Sequence, residues 1–185
     1  MAWIAPMTAI AGGTVTAADF NTYVRDNLNA TEAALAANPG GFFVATGLHA
    51  IAERVFSTDT VDVDETIASS TYGNLATVGP TVTVTTGTKA LVVQGVRAGD
   101  NTAVAVSHPS NKMSWAISGA TTRAAADDWA AGIVANGNGN GPVIYTSRWY
   151  LATGLTAGSN TFQAKYACSS GTGHFNHRSL HVLPL

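Results

Sequence analysis

Cysteine, charge and long apolar runs are all scarce in this chain of 185 residues. The single cysteine, Cys168, excludes an intrachain disulfide, so packing or assembly has to stabilise the fold. Charged residues make up 11% of the chain, against about 25% in an ordinary domain, and the nine basic residues are scattered, which argues against nucleic acid as a partner. No run of about 18 apolar residues is present, so no membrane partner is predicted.

Sequence motifs for catalysis and cofactor binding are also missing. The chain has no GxSxG, no phosphate-binding P-loop, no HExxH, and no GxGxxG between a strand and a helix. We therefore expect no enzyme activity and no cofactor. The apolar opening lacks a basic region and contains Pro6, so we expect an extended N-terminal arm rather than a signal peptide.

A long helix is the strongest local prediction, over Thr16–Ala37. Thr16 suits the N-cap, Asp19 lies in the first turn, and Asn38-Pro39-Gly40-Gly41 is a stop signal. The helix would have roughly 22 residues and a length of about 33 Å. We expect one domain boundary here, with an arm and attachment helix at 1–41 and a β domain at 42–185.

The helix is predicted to bind a partner, because a lone helix before a β domain has no core of its own. Phe20, Val24, Leu28, Thr31 and Leu35 recur at helical spacing and form the proposed contact stripe. The alternative is that the helix folds back on its own β domain. The partner-binding candidates on the arm and helix are Trp3, Ile4, Phe20, Tyr23, Val24, Arg25, Asp26, Leu28 and Leu35.

The remainder of the chain is predicted to be mainly β, an antiparallel jelly-roll-like sandwich of about eight strands. The clearest hairpin is predicted over 81–96, TVTVTTGTKALVVQGV. We predict that Met113, Trp115 and Ile117 enter the core. Further strands are predicted at Phe42–Val44, Ala50–Ser57, Tyr72–Val78, Thr102–Val106, Val143–Ala152, Thr161–Cys168 and within Phe175–Leu183. In Val143–Ala152 the residues Val143, Tyr145, Trp149 and Leu151 share one face. In Thr161–Cys168 the residues Phe162, Ala164 and Tyr166 are predicted to point inward. Residues 122–134 are ambiguous between a short helix and a strand, and Asn136–Gly141 is predicted to be a loop.

Two groups of polar residues are candidate metal or calcium sites, although exposed or hydrogen-bonded side chains explain both more simply. On a strand, His177 and His181 would share a face and His174 would take the other, whereas zinc needs three or four convergent ligands. The acidic group Asp59, Asp62, Asp64 and Glu65 lacks the glycine and terminal glutamate of an EF-hand.

Three residues are candidates for glycan binding. Trp129 is the best candidate for an exposed aromatic ring, and it lies beside Asp127 and Asp128. Strand aromatics more often belong to the core, and nothing in the sequence places either aspartate opposite a second carboxylate, as a glycosidase requires.

The N-terminal segment resembles that of small structural proteins of tailed bacteriophages of actinobacteria. The matching residues are Trp3, Pro6, Gly13, Thr16, Ala17, Ala18, Phe20, Asn21, Arg25, Asp26, Asn27 and Leu28. The later segments TVTVTTGTKALV, ISGATTRAA and GLTAGSNTFQAKY also resemble the β domains of such proteins. The resemblance implies an N-terminal attachment part and a displayed β domain, in a minor tail, fibre or head-decoration protein.

The sequence hypothesis is therefore a non-enzymatic virion structural protein that assembles in the host cytoplasm and is exposed on the particle surface. Its expected partners are other virion proteins, two further copies in a homotrimer, and a host cell-surface glycan. The trimer would use the 3-4 spacing of Leu28, Thr31 and Leu35, which is compatible with a coiled coil of about two heptads. Alternatives are a capsid decoration or head-spike protein, an internal tail or neck subunit, and a carbohydrate-binding or carbohydrate-active domain.

Overall fold

The computed structural model describes residues 4–5, 7–8, 12–31, 35–100, 110–134 and 143–185. Within the chain there are two compact units, residues 1–55 and residues 56–185. The predictions for Trp3, for the strand Thr102–Val106 and for the loop Asn136–Gly141 lie outside the described residues.

The N-terminal helix is shorter than predicted. It consists of helix α1, Ala17–Phe20, a π-helical turn, Asn21–Arg25, and helix α2, Asp26–Asn29. The predicted N-cap is confirmed: the Thr16 hydroxyl accepts a hydrogen bond from the Asp19 N–H (3.1 Å), and Asp19 accepts one from the Thr16 N–H (3.0 Å).

The prediction of one continuous helix to Ala37 is wrong, because the helix is interrupted at Ala30 (φ −93°, ψ 3°) and Ala37 is not helical. Leu35 is helical again, and its N–H donates to the Thr31 carbonyl (3.1 Å). The last turn contains Asn27, Asn29 and Thr31, whose side chains compete for backbone hydrogen bonds and favour helix ends. The Thr31 hydroxyl does so here, donating to the Leu28 carbonyl (2.8 Å). No helix among the described residues is long and apolar enough to cross a membrane.

A β-hairpin completes the N-terminal unit. Strands β1, Phe42–Gly47, and β2, Ala50–Arg54, pair antiparallel. The Glu53 carboxylate accepts hydrogen bonds from the Ala37 N–H (3.1 Å) and the Asn38 N–H (3.0 Å). These bonds attach the hairpin to the preceding linker, so the unit extends to residue 55, whereas the sequence places the boundary at residue 41.

The second unit is an antiparallel β-sandwich. Its strands are β3, Ser57–Val61; β4, Glu65–Ile67; β5, Thr81–Thr86; β6, Lys89–Asp100; β7, Ser110–Gly119; β8, Ala131–Val134; β9, Ile144–Thr153; β10, Gly158–Cys168; and β11, Gly173–Pro184. One sheet has the order β5-β10-β7-β8 and the other has the order β3-β11-β6-β9, with β4 also pairing with β11. We call them the first and the second sheet.

The strand pairing is that of a jelly roll. Leaving aside the short β4, the eight strands pair first with last (β3–β11), second with seventh (β5–β10), third with sixth (β6–β9) and fourth with fifth (β7–β8). Successive pairs alternate between the two sheets, which is how a double Greek key closes on itself. The predicted fold class, a jelly-roll-like sandwich preceded by a helix, is thereby confirmed.

The core lies between the two sheets. Inward residues at alternate strand positions are fully buried, as the sequence pattern predicts for Met113, Trp115, Ile117, Phe162, Ala164 and Tyr166. Trp115 stacks on Trp129 (ring centroids 5.3 Å apart) and tilts against Phe162 (5.7 Å). A second cluster surrounds Tyr166 and Phe175.

The predicted hairpin over 81–96 is wrong. Strands β5 and β6 are consecutive but lie in different sheets, and the short segment at Gly87 crosses the sandwich edge. Val84 of β5 and Ala90 of β6 both face the core, so the alternation that suggests a hairpin also fits an arch between sheets. A Cβ at Gly87 would lie 2.5 Å from the Leu185 carbonyl oxygen, which explains the glycine.

The strand prediction for Tyr72–Val78 is also wrong. Tyr72–Val78 forms an irregular segment, attached to the sandwich by paired Gly73–Tyr166 backbone hydrogen bonds. In the ambiguous segment 122–134, Asp127–Trp129 form a 3-10 turn and strand β8 follows.

Candidate functional site

The predicted attachment surface on the helix is apolar and open. Phe20, Val24 and Leu28, spaced by four residues, are exposed, and Tyr23 and Leu35 are half-buried. None of the described residues in 4–55 is buried. Phe20 and Leu28 remain 54% and 62% exposed, and apolar surface left in water costs about 25 cal/mol per Å² relative to burial.

The charged pair on the helix is satisfied within the chain. Arg25 Nη2 lies 2.8 Å from Asp26 Oδ1, and both side chains are partly exposed. Arg25 and Asp26 are both among the predicted partner-binding residues. As neighbours they neutralise each other, and such exposed pairs contribute about 0–1 kcal/mol.

The N-terminal arm is attached to the helix through Asn27. Its side-chain amide donates to the Ile4 carbonyl (2.8 Å), and its carbonyl accepts from the Ile4 N–H (2.9 Å). The Ile4 side chain itself remains exposed.

The proposed glycan-binding triplet has a different environment from the one expected. Trp129 is half-buried against Trp115 and Tyr150, and its indole N–H donates to the Trp115 carbonyl (3.0 Å). The expectation that Trp129 is the exposed aromatic is therefore wrong, because one ring face packs on the core and the Arg123 guanidinium lies near the ring, 5.7 Å from its centroid. Asp128 is exposed beside it.

Asp127 is held by two donors. Its carboxylate accepts from the Tyr72 hydroxyl (2.7 Å) and from Lys112 Nζ (2.6 Å). The hydrogen bond from Lys112, followed by that from Tyr72, lowers the pKa of Asp127. Burial and the same contact with Asp127 raise the pKa of the Tyr72 hydroxyl. A carboxyl acting as a general acid needs a raised pKa, so this environment does not suit Asp127 for the general-acid role in a glycosidase.

A shallow cleft of about 500 Å³ opens next to this group. It is lined by Ser70, Thr71, Tyr72, Ala116, Ala124, Ala125 and Lys165. Burial lowers the pKa of Lys165, whose ammonium donates to Asn74 Oδ1 (2.7 Å). The cleft combines an aromatic ring, hydroxyl groups and a cation, a mixture of groups that can hydrogen-bond a polar ligand.

Two of the C-terminal histidines contact two members of the acidic group. His177 contacts Asp62, and His174 Nδ1 lies 3.7 Å from Asp64. The prediction that His174 lies on the opposite face of the strand from His181 is wrong, because both side chains point away from the core. The pairing register shifts between Asn176 and Ser179, where His177 has φ 44°. Within the described ranges, no three His, Cys, Asp or Glu side chains converge in a group that could hold a metal.

Glu65 of the acidic group forms a buried ion pair that the sequence does not reveal. Arg178 is fully buried, and its Nη2 lies 3.1 Å from Glu65 Oε2 and 3.2 Å from the Val63 carbonyl oxygen. The guanidinium also lies over the Tyr166 ring, 5.4 Å from its centroid. The two residues are over 110 positions apart, so no local pattern could indicate the pair.

Among the described residues, the largest exposed aromatic side chain is also in an unexpected place. Trp149 of β9 points away from the core and is 72% exposed, together with Tyr145 and Leu151 on the same strand face. The expectation that strand aromatics enter the core is confirmed for Trp115 and wrong for Trp149. Period-two alternation identifies residues that share a face but not which face meets the core.

The chain thus has a jelly-roll sandwich and an N-terminal unit whose described residues include exposed apolar side chains on a helix. No protein-family model matches the chain, and no curated protein matches it. Among solved structures, an Eiger TNF from S. frugiperda aligns at 10% identity and a TM-score of 0.47, over 71% of this chain and 92% of that one. An infectious bursal disease virus structure, Gx strain, aligns at 15% identity and 0.36, over 77% of this chain and 37% of that one.

A third similar structure is the CBM22-1–GH10 part of xylanase 10B from Clostridium thermocellum. It aligns at 12% identity and a TM-score of 0.33, over 67% of this chain and 27% of that one. Likenesses at this level assign neither a family nor an activity, so the functional argument has to come from the residues of this chain.

Proposed function

We propose that the chain is a non-enzymatic structural component of a bacteriophage particle, attached through its N-terminal arm and helix and displaying the jelly roll. The observation that carries the proposal is the N-terminal unit itself. In its described residues no side chain is buried, and Phe20, Val24 and Leu28 are exposed along one short helix. Exposed apolar stripes of this kind are typical of helices that dock on another protein.

The resemblance of the segment around TAADFNTYVRDNL to phage structural proteins supports the same role. The arrangement proposed is a trimeric tail or fibre appendage on the virion, in contact with other virion proteins. Binding of the apolar helix to a neighbouring subunit would offset the conformational entropy that the helix loses when it forms. A helix of this length is not stable alone in water. A capsid decoration or head-spike position is the alternative arrangement.

The test is incorporation into particles. Phe20→Ser and Leu28→Ser, made together in the full chain, remove the apolar stripe without touching a buried residue. We expect purified particles to contain much less of this variant than of the wild-type chain. Val78→Ser is the matched control, because it makes the same chemical change at an exposed site of the sandwich. Equal incorporation of all three proteins would overturn the proposal.

A second candidate function is glycan binding at the cleft beside Asp127. The observation favouring it is the convergence of Tyr72, Lys165, Ser70 and Thr71 around about 500 Å³. Calorimetry with soluble fragments of host cell-wall glycan would detect binding, and Lys165→Met should abolish it. Release of reducing sugar that depends on Asp127 or Asp128 would instead indicate a carbohydrate-active enzyme.

A further inference from the structure

A row of small residues crosses the outer face of the second sheet. Thr60, Ser179, Gly95 and Ser147 are paired neighbours on β3, β11, β6 and β9, so they form one line across four strands. Thr60 and Ser147 are exposed, and Ser179 and Gly95 are half-buried. A glycine inside a strand often marks a place where a ligand approaches the backbone closely. We call these four residues the groove floor.

The rows on either side of the groove floor contain large side chains. His181, Val93 and Trp149 form the row on one side, and Arg97 and Tyr145 belong to the row on the other. Trp149 is 72% and Tyr145 is 66% exposed. At about 3.4 Å per residue their Cα atoms are about 14 Å apart along β9, and four strands about 4.8 Å apart give the groove a length of about 14 Å.

The side of the groove at Tyr145 is organised by a bulge in β11. His177, with φ 44°, lies where the pairing register of this strand shifts, and bulges of this kind re-aim side chains next to functional sites. The His177 ring lies 5.7 Å from the Tyr145 ring and contacts the Asp62 carboxylate. The Arg97 guanidinium lies 5.6 Å from the Tyr145 ring centroid. The bulge therefore brings an imidazole and a carboxylate to the same side of the groove as Tyr145.

Neutral hydrogen-bonding groups lie between and beside the two exposed rings. Thr60, Ser147 and Ser179 contribute hydroxyl groups, each of which can donate and accept. On the side of Trp149, the Thr58 hydroxyl and His181 Nδ1 are 2.6 Å apart. Exposed aromatic rings combined with hydroxyl and imidazole groups suit a ligand with apolar faces and many hydroxyl groups, which is the chemistry of a sugar chain.

Two other classes of ligand fit the groove less well. The formal charges of Arg97 and Asp62 cancel, so these three rows lack the basic excess that selects nucleic acid. An extended peptide is typically recognised by main-chain hydrogen bonds to a free sheet edge. The groove instead crosses β11 and β6, which are paired with strands on both sides, so their backbone groups are already used.

We propose that this groove binds a neutral oligosaccharide, with Trp149 stacking on a sugar ring, Tyr145 lining the opposite side and the floor hydroxyls bonding to sugar hydroxyls. The site differs from the cleft beside Asp127, which is lined by Ala116 and Lys165 of the first sheet. The source of the sugar rests on the proposed function, because a jelly roll displayed on a particle would meet the glycans of the host cell surface.

The test is binding of the purified full-length chain to an array of neutral and acidic bacterial cell-surface oligosaccharides, followed by calorimetry with the best neutral compound. Trp149→Ala should weaken binding about tenfold or more, because a tryptophan at the centre of a contact is a typical hot spot. Trp149→Phe, which keeps an aromatic ring, should retain more of the affinity. Leu151→Ala is the matched control on the same strand face and should bind like the wild type.

Filling the groove gives an independent measurement. Ser147→Leu places a bulky side chain on the exposed end of the groove floor and should weaken binding about as much as Trp149→Ala. Ser118→Leu makes the same change at an exposed position of the first sheet and should have no effect. Thermal unfolding of each variant shows that it is folded.

Several results would overturn the inference. These are no binding of any oligosaccharide, acidic compounds binding as tightly as neutral ones, and equal affinities of wild type, Trp149→Ala and Ser147→Leu. Loss of binding in Lys165→Met but not in Trp149→Ala would place the sugar in the cleft instead. Binding of the chain to an array of extended peptides, lost in Trp149→Ala while no oligosaccharide binds, would make the ligand a peptide. Particle incorporation through the helix is measured separately, so either proposal can fail without the other.

Discussion

The sandwich buries a core of large apolar side chains, whereas the described part of the N-terminal unit leaves its own exposed or half-buried. The sandwich encloses two clusters, and Trp115, Phe162, Tyr166 and Phe175 have no exposed surface. The described part of the N-terminal unit buries nothing and leaves Phe20 more than half exposed. The sandwich therefore contains its own source of stability, whereas the described part of the N-terminal unit has no buried core, which is the reason for proposing a partner surface for the helix.

Ion pairs show the same contrast. Glu65 and Arg178 are paired in the interior of the sandwich, while Arg25 and Asp26 are paired in water on the helix. Removing one partner of a buried pair leaves an uncompensated charge, but removing one partner of an exposed pair changes little. Equivalent substitutions in the two units should therefore differ greatly in effect.

The largest expected difference between the two units is in the effect of replacing one phenylalanine in each. Phe162→Ala should lower the free energy of unfolding of the sandwich by about 3–5 kcal/mol, because it leaves a cavity against Trp115. Phe20→Ala should change it by less than about 0.5 kcal/mol, as at an ordinary surface site. Denaturant unfolding followed by tryptophan fluorescence measures both. Similar losses for the two variants would break the comparison.

Glu65→Ala should lower the free energy of unfolding of the sandwich by a comparable amount, about 3–5 kcal/mol. The loss arises because the Arg178 guanidinium stays buried without its carboxylate. Asp26→Ala is the matched control and should cost under about 1 kcal/mol. The same denaturant titration applies, and a loss at Glu65 no larger than that at Asp26 would show that the buried pair does not stabilise the fold.

The third effect is a pH dependence of part of that stability. Burial favours the neutral form of Glu65, but hydrogen bonds from Thr77 and the charge of Arg178 outweigh it and lower the pKa below its ordinary value of 4.5. A lowered carboxyl pKa contributes stability above the unfolded-state pKa and loses it as the pH falls through the folded-state pKa.

The sandwich should therefore lose stability as the pH falls below about 4.5. Glu65→Gln has no charge to lose, so its unfolding free energy should depend less steeply on pH over that window. Parallel slopes for wild type and Glu65→Gln, measured by denaturant unfolding at a series of pH values, would rule out this contribution.

Much of the sandwich could be predicted from the sequence, because the alternation of apolar and polar residues along a single strand indicates which side chains share a face. Alternation in β7 and β10 places Met113, Trp115 and Phe162 inward, and the structure confirms it. The jelly-roll class follows from the number and spacing of such strands. The pairing of β5 with β10 could not be deduced, because a hairpin and an arch between sheets present the same alternation.

The candidate surfaces were harder to predict because they depend on contacts distant in sequence. The alternation in β9 does not determine which of its two faces meets the core. In the structure Tyr150 and Ala152 face the core, and Trp149 is exposed. The contact of Asn27 with Ile4 spans 23 residues and has no sequence signature. The N-cap, by contrast, is a four-residue motif, and it was predicted correctly.

The smallest effect concerns that N-cap. Thr16→Ala removes the hydroxyl that accepts the Asp19 N–H, and such losses cost about 1 kcal/mol of local helix stability. Amide hydrogen exchange in the first helical turn should become about fivefold faster, while exchange in the sandwich core stays unchanged. Thr14→Ala, two residues before the cap, is the control. Slower exchange of the whole helix in assembled particles, with Thr16→Ala then having little effect, would show that a partner surface rather than the cap determines the helix's stability.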